Sequence, residues 1–229
     1  MKKITTPIAA ALAAALLAPA GAQDEKAPLP EGMMELKLEL PEPLFAGTPT
    51  NIKSDNLEEV TGKPRPALVV PEGVVLLSRE AEVTSSDEFP IIGDLYYVTD
   101  GDKEGGEGSY VELGPGKQWV QVDLGKPAEI HAIVVWHFHS QGRAYRDVVV
   151  QVADDKDFLT NVRTVFNNDH DNSSGLGIGE DKEYIETYEG RAIPVSGEKA
   201  QFIRLHSRGN TTNELNHYIE VEVFGAPVD

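Results

Sequence analysis

Tyr218-Ile219-Glu220-Val221-Glu222-Val223-Phe224, closed by Gly225, is the stretch whose reading decides the fold. Apolar and acidic residues alternate along it, and an extended chain turns successive side chains to opposite faces. Ile219, Val221 and Val223 are therefore expected on one face, and Tyr218, Glu220 and Glu222 on the other. Carboxylates on that second face must meet solvent, a cation or basic side chains. Further strands are expected upstream at 119–124, 129–139, 147–152 and 201–206. Loops such as Asp100-Gly101-Asp102 and 167–179 separate them, and no apolar stripe of helical period appears. The spacing of short strands and turn residues predicts an all-β, antiparallel β-sandwich of the jelly-roll kind. The strand from Glu129 stands out because Ala132, Val134 and Trp136 oppose Ile133 and Val135, so both faces are apolar. Such a strand is expected in the middle of a sheet, covered on both sides. Trp136 is read as core packing on the Ile130, Ala132, Val134 face.

Before this β region the texture is different. Residues 1–22 carry Lys2 and Lys3, an apolar run from Ile8 to Leu17, and the small residues Ala18-Pro19-Ala20-Gly21-Ala22. That order predicts a secretory signal peptide cleaved after Ala22, and a product secreted or periplasmic with no membrane insertion. Residues 23–75 repeat proline and glutamate and are read as an extended tether. Within it, Met34, Leu36, Leu38 and Leu40 alternate with Glu35, Lys37 and Glu39 as a half-buried strand would. Docking on the domain's own sheet and docking on a partner protein are both open at this point. Residues 76–229 form the β domain.

Charge narrows the partners. The 229-residue chain has a formal charge of −18, and loss of the two leader lysines makes it −20 over the remaining 207 residues. A field of that sign disfavours nucleic acid and anionic lipid as main partners; neutral ligands or cations fit better. With no cysteine, disulfides, thiol catalysis and Cys-ligated metal are excluded.

The motifs resemble, in order, those of the discoidin-like, coagulation factor type C family of galactose-binding-like jelly rolls. The resemblance rests on Thr99-Asp100-Gly101-Asp102, Trp119-Val120-Gln121-Val122-Asp123-Leu124-Gly125, Ile130 to Trp136, Val148 to Val152 running into Ala153-Asp154-Asp155-Lys156-Asp157-Phe158, and His217 through Gly225. It covers about residues 76 to 225. It implies a non-catalytic domain binding at loops on one rim, in bacterial members commonly to a glycan or polysaccharide. It also implies a structural calcium, with Asp100, Asp102 and Glu220 at the matching positions. A glycine-rich insertion from Glu104 to Gly108 stands where the family places its next ligand. Calcium takes six to eight oxygens, and an acidic, glycine-punctuated loop supplies carboxylates and carbonyls of that kind.

A sugar site pairs apolar or aromatic platforms with fixed polar groups, usually on loops. The loop from His137 to Arg146 is dense in His, Arg and Tyr, and His139, Arg143 and Tyr145 are its candidates. His170, in the polar run 167–175, could complete a sugar site or bind a cation; Arg208 and Asn210, from 208–213, are placed on the same rim by the family topology. Two other readings compete. His137-Phe138-His139 could serve a cupin-like, metal-dependent enzyme together with Asp169-His170-Asp171, although Arg143 follows where cupins carry a glutamate. A protein-adhesion or assembly module using the Met34 to Leu40 strand is the other.

Overall fold

A computed structural model describes residues 28–228, apart from Thr48, Thr50, Pro64 and Glu107; the leader 1–22 lies outside the described residues. Apart from a short 3-10 turn at Leu95–Thr99, every regular element among the described residues is a strand. Among the described residues no helix is long and apolar enough to cross a membrane.

The organising pair is β6 (Gln118–Trp136) and β9 (Arg191–Ser207), which run antiparallel along almost their whole length. Register breaks between Asp123 and Ala128 and between Ile130 and Ala132 divide the β6 ladder. Before the first break β6 also pairs β4 (Glu82–Ser85); beyond it, β6 pairs β11 (Glu220–Pro227). β11 continues to β3 (Val75–Leu76), and β9 continues through β7 (Val149–Ala153) to β8 (Arg163–Asn167). A separate ladder joins β5 (Val111–Leu113) to β10 (Asn216–Tyr218). Both halves of β6 and β9 face one core, in which Val120, Val122, Ile133, Val135, Ile203 and Leu205 meet Val111, Leu113 and Tyr218 of the small ladder. This is the expected antiparallel jelly-roll sandwich.

Two details of facing differ from the alternation in the sequence. Ile130 lies in the main core with Ile133 and Val135, while Ala132, Val134 and Trp136 face outward. Opposite β11, the two steps of β6 from Ile130 to Ala132 face the single step from Gly225 to Phe224, so β6 carries one extra residue there. A one-residue slip turns a side chain to the other face. Tyr218 likewise enters the core while Ile219 points out beside Phe224. There the chain leaves the small ladder at Tyr218 and joins the large sheet at Glu220, and the crossing breaks the period.

The outward face of β6 is as apolar as the inward one, and the proline-rich segment covers it. β1 (Met33–Glu35) pairs β2 (Val69–Pro71), and Met34, Leu36, Leu38 and Leu68 pack on Ala132, Val134, Trp136, Ile219 and Phe224. The Met34 to Leu40 segment thus docks on the domain's own sheet through its side chains, and its backbone ladder is made with β2. Leu40, the last residue of the alternation, is 42% exposed. Between these anchored ends the chain makes an excursion round one end of the sandwich and returns, forming a strap rather than a free tether.

On the outer face of β9, His206 is 4% exposed and neither ring nitrogen has a partner. Burial, reinforced by Arg204 and Lys117, holds its pKa down at about 3. The folded chain therefore refuses a proton that the unfolded chain accepts below its ordinary value of 6.5. Stability from this residue is intact above that value and is lost as pH falls toward the folded one. At pH 5 the loss is about 2 kcal/mol. Urea titrations at pH 7 and pH 5 should show this share of acid destabilisation removed in His206→Leu; an unchanged pH dependence in that variant would reject the assignment.

Candidate functional site

The rim is built where β6 ends. Backbone hydrogen bonds tie 144–146 to 208–211: Arg146 N–H donates to the Gly209 carbonyl at 3.1 Å, Arg208 N–H to that of Arg146 at 2.9 Å, and Thr211 N–H to that of Ala144 at 2.9 Å. The segment that carries Arg143 and Tyr145 therefore shares a rim with that of Arg208 and Asn210. On the other side, Glu186 N–H donates to the Arg143 carbonyl at 2.8 Å.

Beneath this rim lies a polar relay. Tyr145, 1% exposed, stands 2.8 Å through its hydroxyl from His217 Nδ1, and His217 Nε2 stands 3.0 Å from Glu112 Oε2. Burial, then Arg143 and His137, holds the His217 pKa down at about 3, so the imidazole is neutral at physiological pH. With Glu112 ionised, its Nε2–H donates to the carboxylate and Nδ1 accepts from the phenol. Burial raises the Glu112 carboxyl, against a lowering by Arg143, and raises the Tyr145 phenol well above its ordinary value. Arg143 completes the group. It is 4% exposed, its guanidinium lies 4.4 Å over the Phe138 ring, and Nη2 donates to Gln141 Oε1 at 3.3 Å. No carboxylate of the described residues lies within ion-pair distance of it, and its Nε has no partner. Tyr110 meets Phe138 edge-on at 5.1 Å and His217 at 5.8 Å. Half-buried Tyr110, Glu112 and Phe138, with exposed Gln141, carry this group to the surface.

The sequence candidates fall into two places. His139, Arg143 and Tyr145 lie below the surface rather than on an open loop; His139 Nε2 is held 2.9 Å from the Lys103 carbonyl and its Nδ1 is unpartnered. His170 and Arg208 are exposed farther along the rim, where Arg208 Nη1 lies 3.8 Å from Asp147 Oδ2. Asn210 is buried and spends its side chain on its own turn, accepting from Thr212 and Asn213 N–H and donating to Asn213 and the Leu215 carbonyl. Tyr110, Glu112 and His217 were missed. Their signal was faint, since Glu112 reads as the polar member of Val111-Glu112-Leu113 and His217 as a flank of the last strand.

His137 and His139 take different partners: His137 Nδ1 binds Glu186 Oε1 at 2.6 Å and its ring stacks on Tyr145 at 4.4 Å. Among the described residues, the one group of three or more potential metal ligands within 4.8 Å of one another is Asp147, Asp169 and Asp171. Its oxygens already accept from Ser173 and Ser174: burial would raise Asp169, but those donors outweigh it and lower its pKa.

At the Asp100 loop, Glu220 is 1% exposed and accepts from Gly101 N–H at 3.0 Å. Burial, opposed by that hydrogen bond and reinforced by Glu222 and Asp100, raises its pKa to about 8. Lys103 bridges Glu222 Oε1 at 2.7 Å and the Glu39 carbonyl at 3.0 Å, and Arg79 donates to the Asp100 carbonyl at 2.5 Å. Asp102 closes its own loop, accepting from Glu104 N–H at 2.8 Å and the Ser109 hydroxyl at 3.1 Å. Buried Glu220, with Asp100 beside it and no ion-pair partner among the described residues, fits a cation, although the Arg79 charge also acts on it; Asp102 fits a brace.

A cleft of about 730 Å³ lies between the strap's return leg, 58–69, and 184–194. Two of its three cationic side chains, Lys63 being the third, are committed internally: Arg191 pairs Glu58 at 2.8 Å, and Arg65 donates to the Glu189 carbonyl at 2.8 Å.

Residues 97–195 match the family model described as F5/8 type C, NedA-like, galactose-binding domain. The domain has the discoidin-like, F5/8 type C fold. One solved structure agrees in fold, and two others are similar over a like share of the chain. A family 89 glycoside hydrolase from Clostridium perfringens, in complex with 2-acetamido-1,2-dideoxynojirmycin, superposes with a TM-score of 0.50 at 18% identity, over 67% of this chain and 15% of that one. The CBM32 of AlyQ, in complex with 4,5-unsaturated mannuronic acid, gives 0.46 at 17% identity over 65% and 98%. A chitosan-binding module from a chitosanase/glucanase of Paenibacillus sp. IK-5 gives 0.44 at 20% over 66% and 99%. The search of curated proteins returned no match.

The relay inside this discoidin-like domain makes a direct prediction. Tyr145→Phe strips the hydroxyl from His217 Nδ1 and leaves a buried acceptor unpaired, which costs about 1–3 kcal/mol. Urea unfolding at neutral pH should register that loss with an unchanged m-value, and a wild-type midpoint would show that the relay carries no stability.

Proposed function

We propose that this chain is an exported, non-catalytic carbohydrate-binding module that engages a glycan at the rim formed by 110–112, 137–146 and 208–217. The observation that carries the reading is the relay from Arg143 through Tyr145 and His217 to Glu112, beside the rings of Tyr110 and Phe138. Such a group offers donors at one end, an acceptor at the other, and apolar ring surface between. Neighbouring sugar hydroxyls need both kinds of partner, and the C–H face of the ring needs the third. The galactose-binding description of the matched family supports the same ligand class. His170 and Arg208 flank the site for further contacts. Export rests on the leader at 1–22. One shallow site that buries few groups should bind with a Kd of roughly micromolar to millimolar.

The test is a glycan array probed with the chain from Gln23 onward. Binding to a related set of glycans is expected, weakened about tenfold in Glu112→Gln, equivalent to ~1.4 kcal/mol. Silence across the array from protein that melts cooperatively would reject the reading.

A structural calcium belongs to the same proposal. Asp100 and Glu220, with carbonyls of the 100–103 loop, would hold it, and Asp102 would brace that loop. Bound there, the ion would neutralise buried Glu220 and half-buried Asp100 and fix the loop. Since a ligand bound only by the folded state stabilises it, chelation should lower the Tm. The same Tm before and after proven metal removal would exclude the ion.

A further inference from the structure

We propose that the proline-rich strap is a lid over the rim, and that it must lift at Pro49 and Ile52 before a glycan reaches Arg143 and His139. The inference rests on the glycan reading of the rim and adds its regulation.

The strap is firmly held at two ends and lightly between them. At one end Lys103 fastens the Glu39 carbonyl at 3.0 Å. At the other, Asn56 Nδ2 donates to the carbonyls of Asn168 and Asp181, each at 3.1 Å, and Glu58 N–H donates to the Glu183 carbonyl at 2.8 Å. From Leu40 to Lys53 the described residues form no hydrogen bond or ion pair with the sandwich. Contact there is apolar and narrow. Leu44 and the His139 ring both lie against Gly105, 3.2 and 3.1 Å from where a Cβ would stand. Pro49 and Ile52 lie against Gly142, where a Cβ would meet Pro49 Cγ at 2.3 Å and Ile52 Cδ1 at 3.2 Å. The strap thus rests on two glycines, one beside each of the buried candidates.

What lies below is unsatisfied. His139 Nδ1 and Arg143 Nε are buried without a partner, although buried polar groups are nearly always hydrogen-bonded. In the closed arrangement a few apolar contacts offset these orphaned donors and acceptors. Lifting the strap would trade those contacts for hydrogen bonds to water or to sugar hydroxyls. Two arrangements with opposed advantages of this kind make a switchable element. A ligand that binds only the open arrangement shifts the population toward it.

The chain has no cysteine, so an introduced pair can form one disulfide only. The Cβ of Pro49 lies 3.0 Å from the Cβ position at Gly142, close to the separation of roughly 3.5–4.5 Å that a disulfide spans. The experiment is glycan-array binding of Pro49→Cys/Gly142→Cys, oxidised and reduced, beside wild type and Gly142→Ala. Array signal should fall at least tenfold on oxidation and return on reduction. In Gly142→Ala, where the methyl group displaces Pro49, it should equal or exceed wild type. Equal binding by oxidised and reduced protein would overturn the lid and leave the glycan reading standing. If every form folds and none binds a glycan, the glycan reading fails, and hydrogen–deuterium exchange of 137–146 decides the lid. Faster exchange in the reduced than in the oxidised pair, and in Gly142→Ala than in wild type, is expected; equal exchange would overturn it. Should the cysteine pair fail to fold, Gly142→Ala against wild type carries the same comparisons, and weaker binding or slower exchange in that variant would overturn the lid.

Discussion

Everything in this fold follows from a strand that is apolar on both faces. Between Glu129 and Trp136, β6 turns Ile130, Ile133 and Val135 into the sandwich and Ala132, Val134 and Trp136 out of it, all six fully buried. The jelly roll supplies a cover for the first face only. Six buried apolar side chains in eight residues leave no face for water, so a second cover is required. Met34, Leu36, Leu38 and Leu68 provide it, and a segment rich in proline and glutamate becomes part of the folded unit.

That second cover shapes the rim. A chain that must dock at Leu36 and again at Leu68 has to spend the intervening residues somewhere. It spends them around the end of the sandwich, past Gly105, Gly142 and Asn168. Trp136 connects the two regions. Its ring lies under the strap's cluster, its Nε1–H donates to the Tyr188 carbonyl at 2.9 Å, and Lys103 sits 5.3 Å over it while reaching Glu39 and Glu222. Packing of the sheet, position of the strap and placement of the rim loops are thereby coupled through one side chain.

Electrostatics separates the local site from the whole chain. A charge of −18 argues for neutral ligands or cations, and that argument concerns long-range fields, which salt screens within about 8–10 Å. At the rim the balance is local and different: Arg143 is buried beside neutral Gln141, Tyr145 and Phe138, and the neutral His217 links its neighbour Tyr145 to Glu112. Inside a low-dielectric network these few groups set the local polarity, and bulk composition does not report them.

By itself the sequence determined the elements. Alternation and β-branched runs are local properties of an extended chain, so the most apolar strands, the all-β class and the two-sided burial of β6 were legible, as was the loop carrying Arg143 and Tyr145. β4, β5, β8 and the first half of β9 were not, and β6 stops at Trp136 rather than His139. Tertiary structure decided the rest. It reversed the facing of Ile130 and of Tyr218 and Ile219, because a bulge and a change of sheet each shift a period of two by one residue. It took the docking option for Met34 through Leu38, because only packing reveals which apolar face lacks a cover. It also assembled Glu112, Tyr145 and His217, separated by as many as 105 positions, into one relay. Contacts over such distances depend on how strands stack across the sandwich, and no local pattern of residues encodes them.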